Sequence, residues 1–205
     1  VEIWSCKWLV FNPQRVTRNP DHATRNPNQP EPMKRKTGKP NPWQDHYSRQ
    51  AKKDRYPARS VYKLEEIQQK HRLINKGDKI LDLGCAPGSW LLYAAKLTGD
   101  RGRVIGFDLK PVKIQAAPNI EIINADVFAL DAGPLGNDLN VVMSDMAPAT
   151  TGHKTVDAAR SVGLCEAALA IAQRVLLPGG CFVCKIFQGP DFNQFVNSVR
   201  AGFDK

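Results

Sequence analysis

From residue 59 onward the chain alternates short apolar runs with longer stretches whose apolar residues recur at helical spacing. The runs Lys79–Asp82, Val104–Asp108, Ile120–Asn124, Leu139–Asp145 and Cys181–Phe187 are short and mostly apolar, as strands buried on both faces of a parallel sheet should be. Between them, Ser89–Leu97 and Thr155–Leu176 read as helices, with Gly99 and Pro178-Gly179-Gly180 as stop signals. Ahead of the first run, Val61, Leu64, Ile67 and His71 mark one face of a short helix. After the last, Phe192, Phe195, Val196, Val199 and Phe203 form a further apolar stripe at helical spacing. The expected fold class is α/β, an open and mostly parallel sheet with helices on both faces.

Charge divides the chain where the pattern does. Of the formal net charge of +9, residues 1–60 carry +8 and the remainder +1. Eight of the 15 prolines fall in that front third, with Gly38 as its single glycine and few aliphatic side chains, so it cannot bury a core of its own. Residues 1–42 are therefore expected to be a basic, proline-rich disordered extension, and 43–205 the folded domain. Met33, followed by Lys34-Arg35-Lys36, is an alternative start, which would make residues 1–32 translated upstream sequence. No apolar run approaches the roughly 20 residues that span a bilayer. Val1–Phe11, with Glu2 near its start, does not look like a secretory leader. Five scattered cysteines (Cys6, Cys85, Cys165, Cys181, Cys184) make no disulfide framework, and a reducing cytoplasm is the expected setting.

In open α/β sheets ligands bind outside the carboxyl ends of the strands. Those ends are charged here: Asp82, Asp108, Asp126, Asp145 and, on the last run, Lys185. Any one of the carboxylates could cap a helix or sit solvated in a loop. Together they point to a lined cleft, because a charge beside a buried strand costs several kcal/mol, of the order of transfer energies, unless something compensates. The turn Asp82-Leu83-Gly84-Cys85-Ala86-Pro87-Gly88-Ser89-Trp90 leads straight into a helix, in the position that cradles nucleotides. Its glycines do not match the dinucleotide fingerprint, which speaks against a pyrophosphate and a nicotinamide cofactor. Asp108 follows Gly88 by 20 residues, a spacing suited to ribose hydroxyls. S-adenosylmethionine carries a ribose, lacks phosphates and bears a sulfonium that carboxylates favour.

The runs Arg59-Ser60-Val61-Tyr62-Lys63-Leu64, Asp82 to Trp90, Ser144-Asp145-Met146-Ala147-Pro148 and Val183-Cys184-Lys185-Ile186-Phe187-Gln188-Gly189 resemble, in order and spacing, the FtsJ/RrmJ family of RNA 2′-O-ribose methyltransferases. The likeness spans about Trp43 to Lys205. It implies a Rossmann-like class I methyltransferase fold, S-adenosylmethionine as cofactor, and ribosomal RNA or the large ribosomal subunit as partner, with a uridine of 23S ribosomal RNA modified in bacteria. It further implies that Gly88, Trp90, Asp108, Asp126 and Asp145 contact the cofactor, and that Lys63, Asp145 and Lys185 are three members of a Lys-Asp-Lys-Glu catalytic set. The fourth, a glutamate on a later strand, has no counterpart, so the last strands are expected to be missing and the domain truncated at its carboxyl end. Cys85 and Ser89 stand where the family commonly has alanine and glycine.

On this reading Lys185 either takes the proton of the 2′-hydroxyl or stays charged and orients it; the sequence leaves both open. The basic stretch Lys52-Lys53-Asp54-Arg55-Tyr56-Pro57-Ala58-Arg59 would track an RNA backbone. The loop Pro148–Lys154 would cover the substrate, with Gly152 giving it freedom. Cys181 and Cys184 would point to opposite faces of a strand, and His22, His46, His71 and His153 show no ligand spacing, so no metal is expected. A monomer is expected. Transfer RNA or messenger RNA cap methylation, and a non-catalytic RNA-binding protein that keeps the cofactor pocket, are the competing functions.

Overall fold

The computed structural model describes residues 6–11 and 42–203. Each expected apolar run forms a strand: β2 (Lys79–Leu83), β3 (Arg103–Asp108), β4 (Ile120–Asn124), β5 (Leu139–Ser144) and β6 (Leu176–Phe187). The expected helices are α2 (Val61–His71), α3 (Ser89–Thr98), α4 (Lys154–Val175) and α5 (Phe192–Phe203). Two elements were not anticipated, β1 (Cys6–Phe11) and α1 (Pro42–Lys53). The sheet order is β1-β6-β5-β2-β3-β4, with β2 to β6 parallel and β1 antiparallel at the edge.

Layering follows from side-chain alternation. Leu81, Val142, Phe182 and Cys184 face one way, against Ala168, Leu169 and Ala172 of α4 and Val199 of α5. Ile80, Val141, Met143 and Val183 face the other, against Leu64 and Ile67 of α2 and Leu91 and Ala94 of α3. Burying each such aliphatic side chain contributes about 1.5–3 kcal/mol, so both helical layers are fixed to the sheet. Cys181 and Cys184 fall in the two opposite layers, as their spacing required. Strand order reverses between β5 and β2, which makes the carboxyl ends of those strands the topological switch point.

The expectation of disorder across residues 1–42 is corrected at both ends. Residues 6–11 pair along their length with β6, and Pro42 opens α1, proline being well suited to the first helical position; residues 12–41 lie outside those described. The composition of the whole stretch hid a six-residue strand whose Leu9 and Phe11 pack on one layer and Trp8 and Val10 on the other. Strand β1 occupies the outer edge of β6. Strand β6 is also longer than expected, because Leu176 already pairs with Leu139 before the register shifts to Val141 opposite Cys181.

Candidate active site

At the switch point Asp82 is fully buried, and neither of its carboxyl oxygens has a hydrogen-bond partner among the described residues. Leaving a buried polar group unpaired costs about 1–3 kcal/mol. Burial, then the charges of Asp145 and Asp108, push this carboxyl well above the usual range, so the neutral form is favoured. Leu83 pairs with Phe107 of β3 on one side and Ser144 of β5 on the other, so Asp82, Asp108 and Asp145 stand at adjacent strand ends.

The glycine turn is held by β3. Phe107 carbonyl accepts from the Gly84 and Cys85 N–H groups (2.8 and 3.1 Å). The Asp108 carboxylate accepts from Ala86 N–H and Lys110 N–H, each at 2.8 Å, and an ionised carboxylate has further lone pairs for a ligand. Gly88 adopts φ +106°, and a Cβ there would lie 2.7 Å from Ile114 Cγ2 and 3.0 Å from Val112 Cγ1. Only glycine lets the segment after Asp108 lie this close to the turn. Helix α3 then starts at Ser89, its first N–H groups free of intrahelical acceptors. Trp90 turns its side chain inward: it is buried, and its indole N–H donates to Ser60 carbonyl at 2.9 Å. Its backbone N–H, in the first turn of α3, is the group that could meet a ligand. Ser89 Oγ accepts from Ala58 N–H at 2.8 Å, which ties the segment leading into α2 to the same turn.

On the other side of the switch, the Lys185 ammonium donates to Asp145 carbonyl (2.7 Å) and to the Asp145 carboxylate, with 16% and 23% of the two side chains exposed. Burial raises the Asp145 carboxyl above its ordinary range although Lys185 pulls it down. Lys63 does not join this pair: among the described residues its ammonium bonds Glu66, one helical turn on, at 2.9 Å. Asp126 caps a short 3₁₀ turn, accepting from Phe128 N–H at 3.0 Å. The loop Pro148–Lys154 is latched rather than free, since buried Asp157 accepts from Thr151 N–H, Thr151 hydroxyl and Gly152 N–H (2.8, 2.9 and 3.1 Å).

Sequence reasoning missed two apolar side chains of this rim. Leu109 is 67% exposed just after β3 and Phe128 66% exposed beyond β4, beside Asp108 and Asp126 respectively. Large apolar groups left in water next to carboxylates suit the faces of a flat base. The signal was present in both cases as an apolar residue within two positions of a strand-end acid.

A parallel sheet with a glycine turn opening a helix at its switch point, and a carboxylate ending the next strand, is a Rossmann-like arrangement of the kind that class I methyltransferases share. Residues 56–205 match the FtsJ-like methyltransferases, and the chain belongs to that family. It is 55% identical over 168 residues to the ribosomal RNA large subunit methyltransferase E of Desulforapulum autotrophicum, covering 80% of this chain and 83% of that one. With the protein of the same name from Desulfatibacillum aliphaticivorans it shares 53% over 176 residues, 84% and 85% of the two chains. The crystal structure of a Plasmodium falciparum protein described as a ribosomal RNA methyltransferase superposes with a TM-score of 0.65 at 24% identity, covering 71% of this chain and 86% of that one, a likeness of fold.

Proposed function

We propose that the chain transfers a methyl group from S-adenosylmethionine to a ribose 2′-hydroxyl of RNA, a uridine of 23S ribosomal RNA in the large subunit, and does so in the cytoplasm. The observation that carries this reading is the Lys185 ammonium held on Asp145 at the switch point, next to a turn that fits the cofactor. The fit rests on the glycine-only approach at Gly88, the lone pairs left on Asp108 and the unpartnered Asp82 carboxyl. The names of the relatives support the choice of RNA.

When bound, the sulfonium supplies a methyl carbon whose bond to sulfur breaks as its bond to the 2′-oxygen forms, leaving a neutral thioether and releasing the hydroxyl proton. The chain's residues divide the remaining work. Asp108 would accept from the ribose hydroxyls, Asp126 and the apolar pair Leu109 and Phe128 would hold the base, and the Gly88 and Trp90 backbone would meet the amino-acid end. Of the three N–H donors of Lys185, two are taken by Asp145, and the third remains to hold the reacting hydroxyl oxygen. Fixing that oxygen in line with the methyl carbon lowers the barrier by removing the entropy cost of bringing the two together. The proton leaves to water late in the displacement. Lys63, tied to Glu66, would turn to the substrate only once RNA is bound.

RNA would approach over α1 and α2. Lys52, Lys53, Arg55 and Arg59 gather there, while the one acid among them, Asp54, is occupied by the Tyr62 hydroxyl at 2.7 Å and by Gln50. Tyr47, 46% exposed, lies 5.5 Å from the Tyr62 ring and offers a stacking surface. Transfer of tritiated methyl groups from labelled cofactor into large subunits that lack the modification tests the reading. Lys185→Ala is expected to bind cofactor within about threefold of the unaltered protein and to lose about 10²–10³-fold in turnover, the cost of removing one pre-organised donor. Retained turnover rejects the role given to Lys185.

A further inference from the structure

Strand β1 does more than cover a sheet edge. Its register places Trp8 opposite Lys185, Cys6 opposite Phe187 and Val10 opposite Val183. Alternation then sends Trp8 and Val10 to the α2 and α3 side of the sheet, the side on which Lys185 reaches Asp145. There the Trp8 ring lies 5.1 Å from the Trp90 ring, tilted by 33°. The Lys185 ammonium sits 5.9 Å from the centre of the Trp8 ring. Trp8 thus touches both the helix start that closes the glycine turn and the cation proposed to hold the substrate hydroxyl, although it lies 177 positions from Lys185 in the chain.

We propose that Trp8 is a positioning residue for methyl transfer: its ring, braced on Trp90, holds the Lys185 ammonium at Asp145. The inference rests on the role of Lys185 given above. Two hydrogen bonds to one neighbour leave a four-carbon stem free to swing about them. An aromatic face within about 6 Å adds an attraction that falls off as the ammonium departs and so narrows that swing. Trp90 cannot yield in turn, because its indole N–H is bonded to Ser60 and its ring is buried. Trp8 does not itself touch the reacting atoms; it acts through Lys185.

The test uses the full chain and three substitutions, Trp8→Phe, Trp8→Leu and Leu9→Ala, with calorimetry for S-adenosylmethionine and labelled-methyl transfer to undermodified large subunits. Trp8→Phe keeps an aromatic face and Trp8→Leu keeps apolar bulk without one. Leu9→Ala loosens β1 from the opposite layer without touching Lys185. The expected result is a kcat about tenfold lower for Trp8→Leu, with cofactor affinity and the KM for subunits within about threefold, and near-normal kcat for the other two, in line with a cation–π contact that is partly desolvated. Trp8→Leu at normal kcat overturns the proposal, as does Trp8→Phe falling equally far. A matching loss in Leu9→Ala also overturns it, by showing that strand docking, not the ring, matters. Lys185→Ala in the same assay separates the two ideas: if it retains turnover the role of Lys185 has failed, whereas loss there with none in Trp8→Leu removes only Trp8.

Discussion

The two rims of the sheet carry the same kinds of charge in opposite circumstances. At the amino ends of the strands, Lys79 pairs with Asp138 and Arg103 with Glu121, and all four side chains are about half exposed. At the carboxyl ends, Asp82 is buried without a hydrogen-bond partner among the described residues and the Asp145–Lys185 pair is mostly covered. Water solvates the first set, so its arrangement costs little and signifies little. Covered charges are costly to desolvate, and replacing such a pair by well-packed apolar residues is often neutral or stabilising. Charge held at a cost is what distinguishes the proposed site from the solvated rim.

The sharpest way to break this contrast is at Asp145. Asp145→Asn leaves an acceptor for Lys185 but removes the charge that holds it, and turnover in the subunit assay is expected to fall by about 10²-fold, with a lower melting temperature because the covered ammonium loses its counter-charge. Turnover within a few fold of the unaltered protein would mean that the covered pair is structural.

Asp82 gives the next largest effect, in stability and with a definite sign. Its carboxyl keeps a proton to higher pH when folded than when unfolded. The folded state therefore binds more protons above the ordinary carboxylate range. That stabilising contribution is complete below the range and is lost as pH rises toward the folded value, at up to about 1.4 kcal/mol per pH unit. Asp82→Asn removes the slope. Asp145 and Asp78, raised chiefly by burial, keep their part of it in both proteins. Thermal melts from pH 5 to 8 should show the Asn variant gaining on the unaltered protein as pH rises, and a constant gap would show that Asp82 is not held neutral by its setting.

A third substitution acts on the cradle itself. Gly88→Ala must adopt φ near +106° against Ile114 and Val112. Left-handed backbone costs a residue with a Cβ about 1–2 kcal/mol, so cofactor affinity by calorimetry is expected to drop about tenfold.

The strand and helix pattern could be read from residues 59 to 203 because buried parallel strands and amphipathic helices repeat a local rule at every turn. The convergence of Asp82, Asp108 and Asp145 was legible for a related reason: in this topology a strand end is a place. Lys63 was not, since its partner Glu66 is a local choice of rotamer on α2 that no spacing dictates. The inward turn of Trp90 depended on a carbonyl 30 residues upstream. Strand β1 was hidden more deeply. A six-residue edge strand has no periodicity long enough to stand out from a proline-rich, basic surrounding, and its partner lies at the far end of the chain.

The amino rim offers the smallest effect and the control for all the others. A double-substitution cycle of Arg103→Ala and Glu121→Ala should return a coupling of about 0.2–1 kcal/mol, fading in high salt, because both side chains stand about half in water. Asp138 should report the opposite pH sign from Asp82. The hydrogen bond from Lys79 holds its carboxyl below the usual range, so its contribution is present at neutral pH and is lost as pH falls through the folded value. Asp138→Asn should therefore melt slightly lower than the unaltered protein at pH 7 and match it in acid, while Asp82→Asn does the reverse. If the two variants instead tracked one another with pH, both rims would be responding to net charge alone, and the distinction between a solvated rim and a working one would have no basis in their local surroundings.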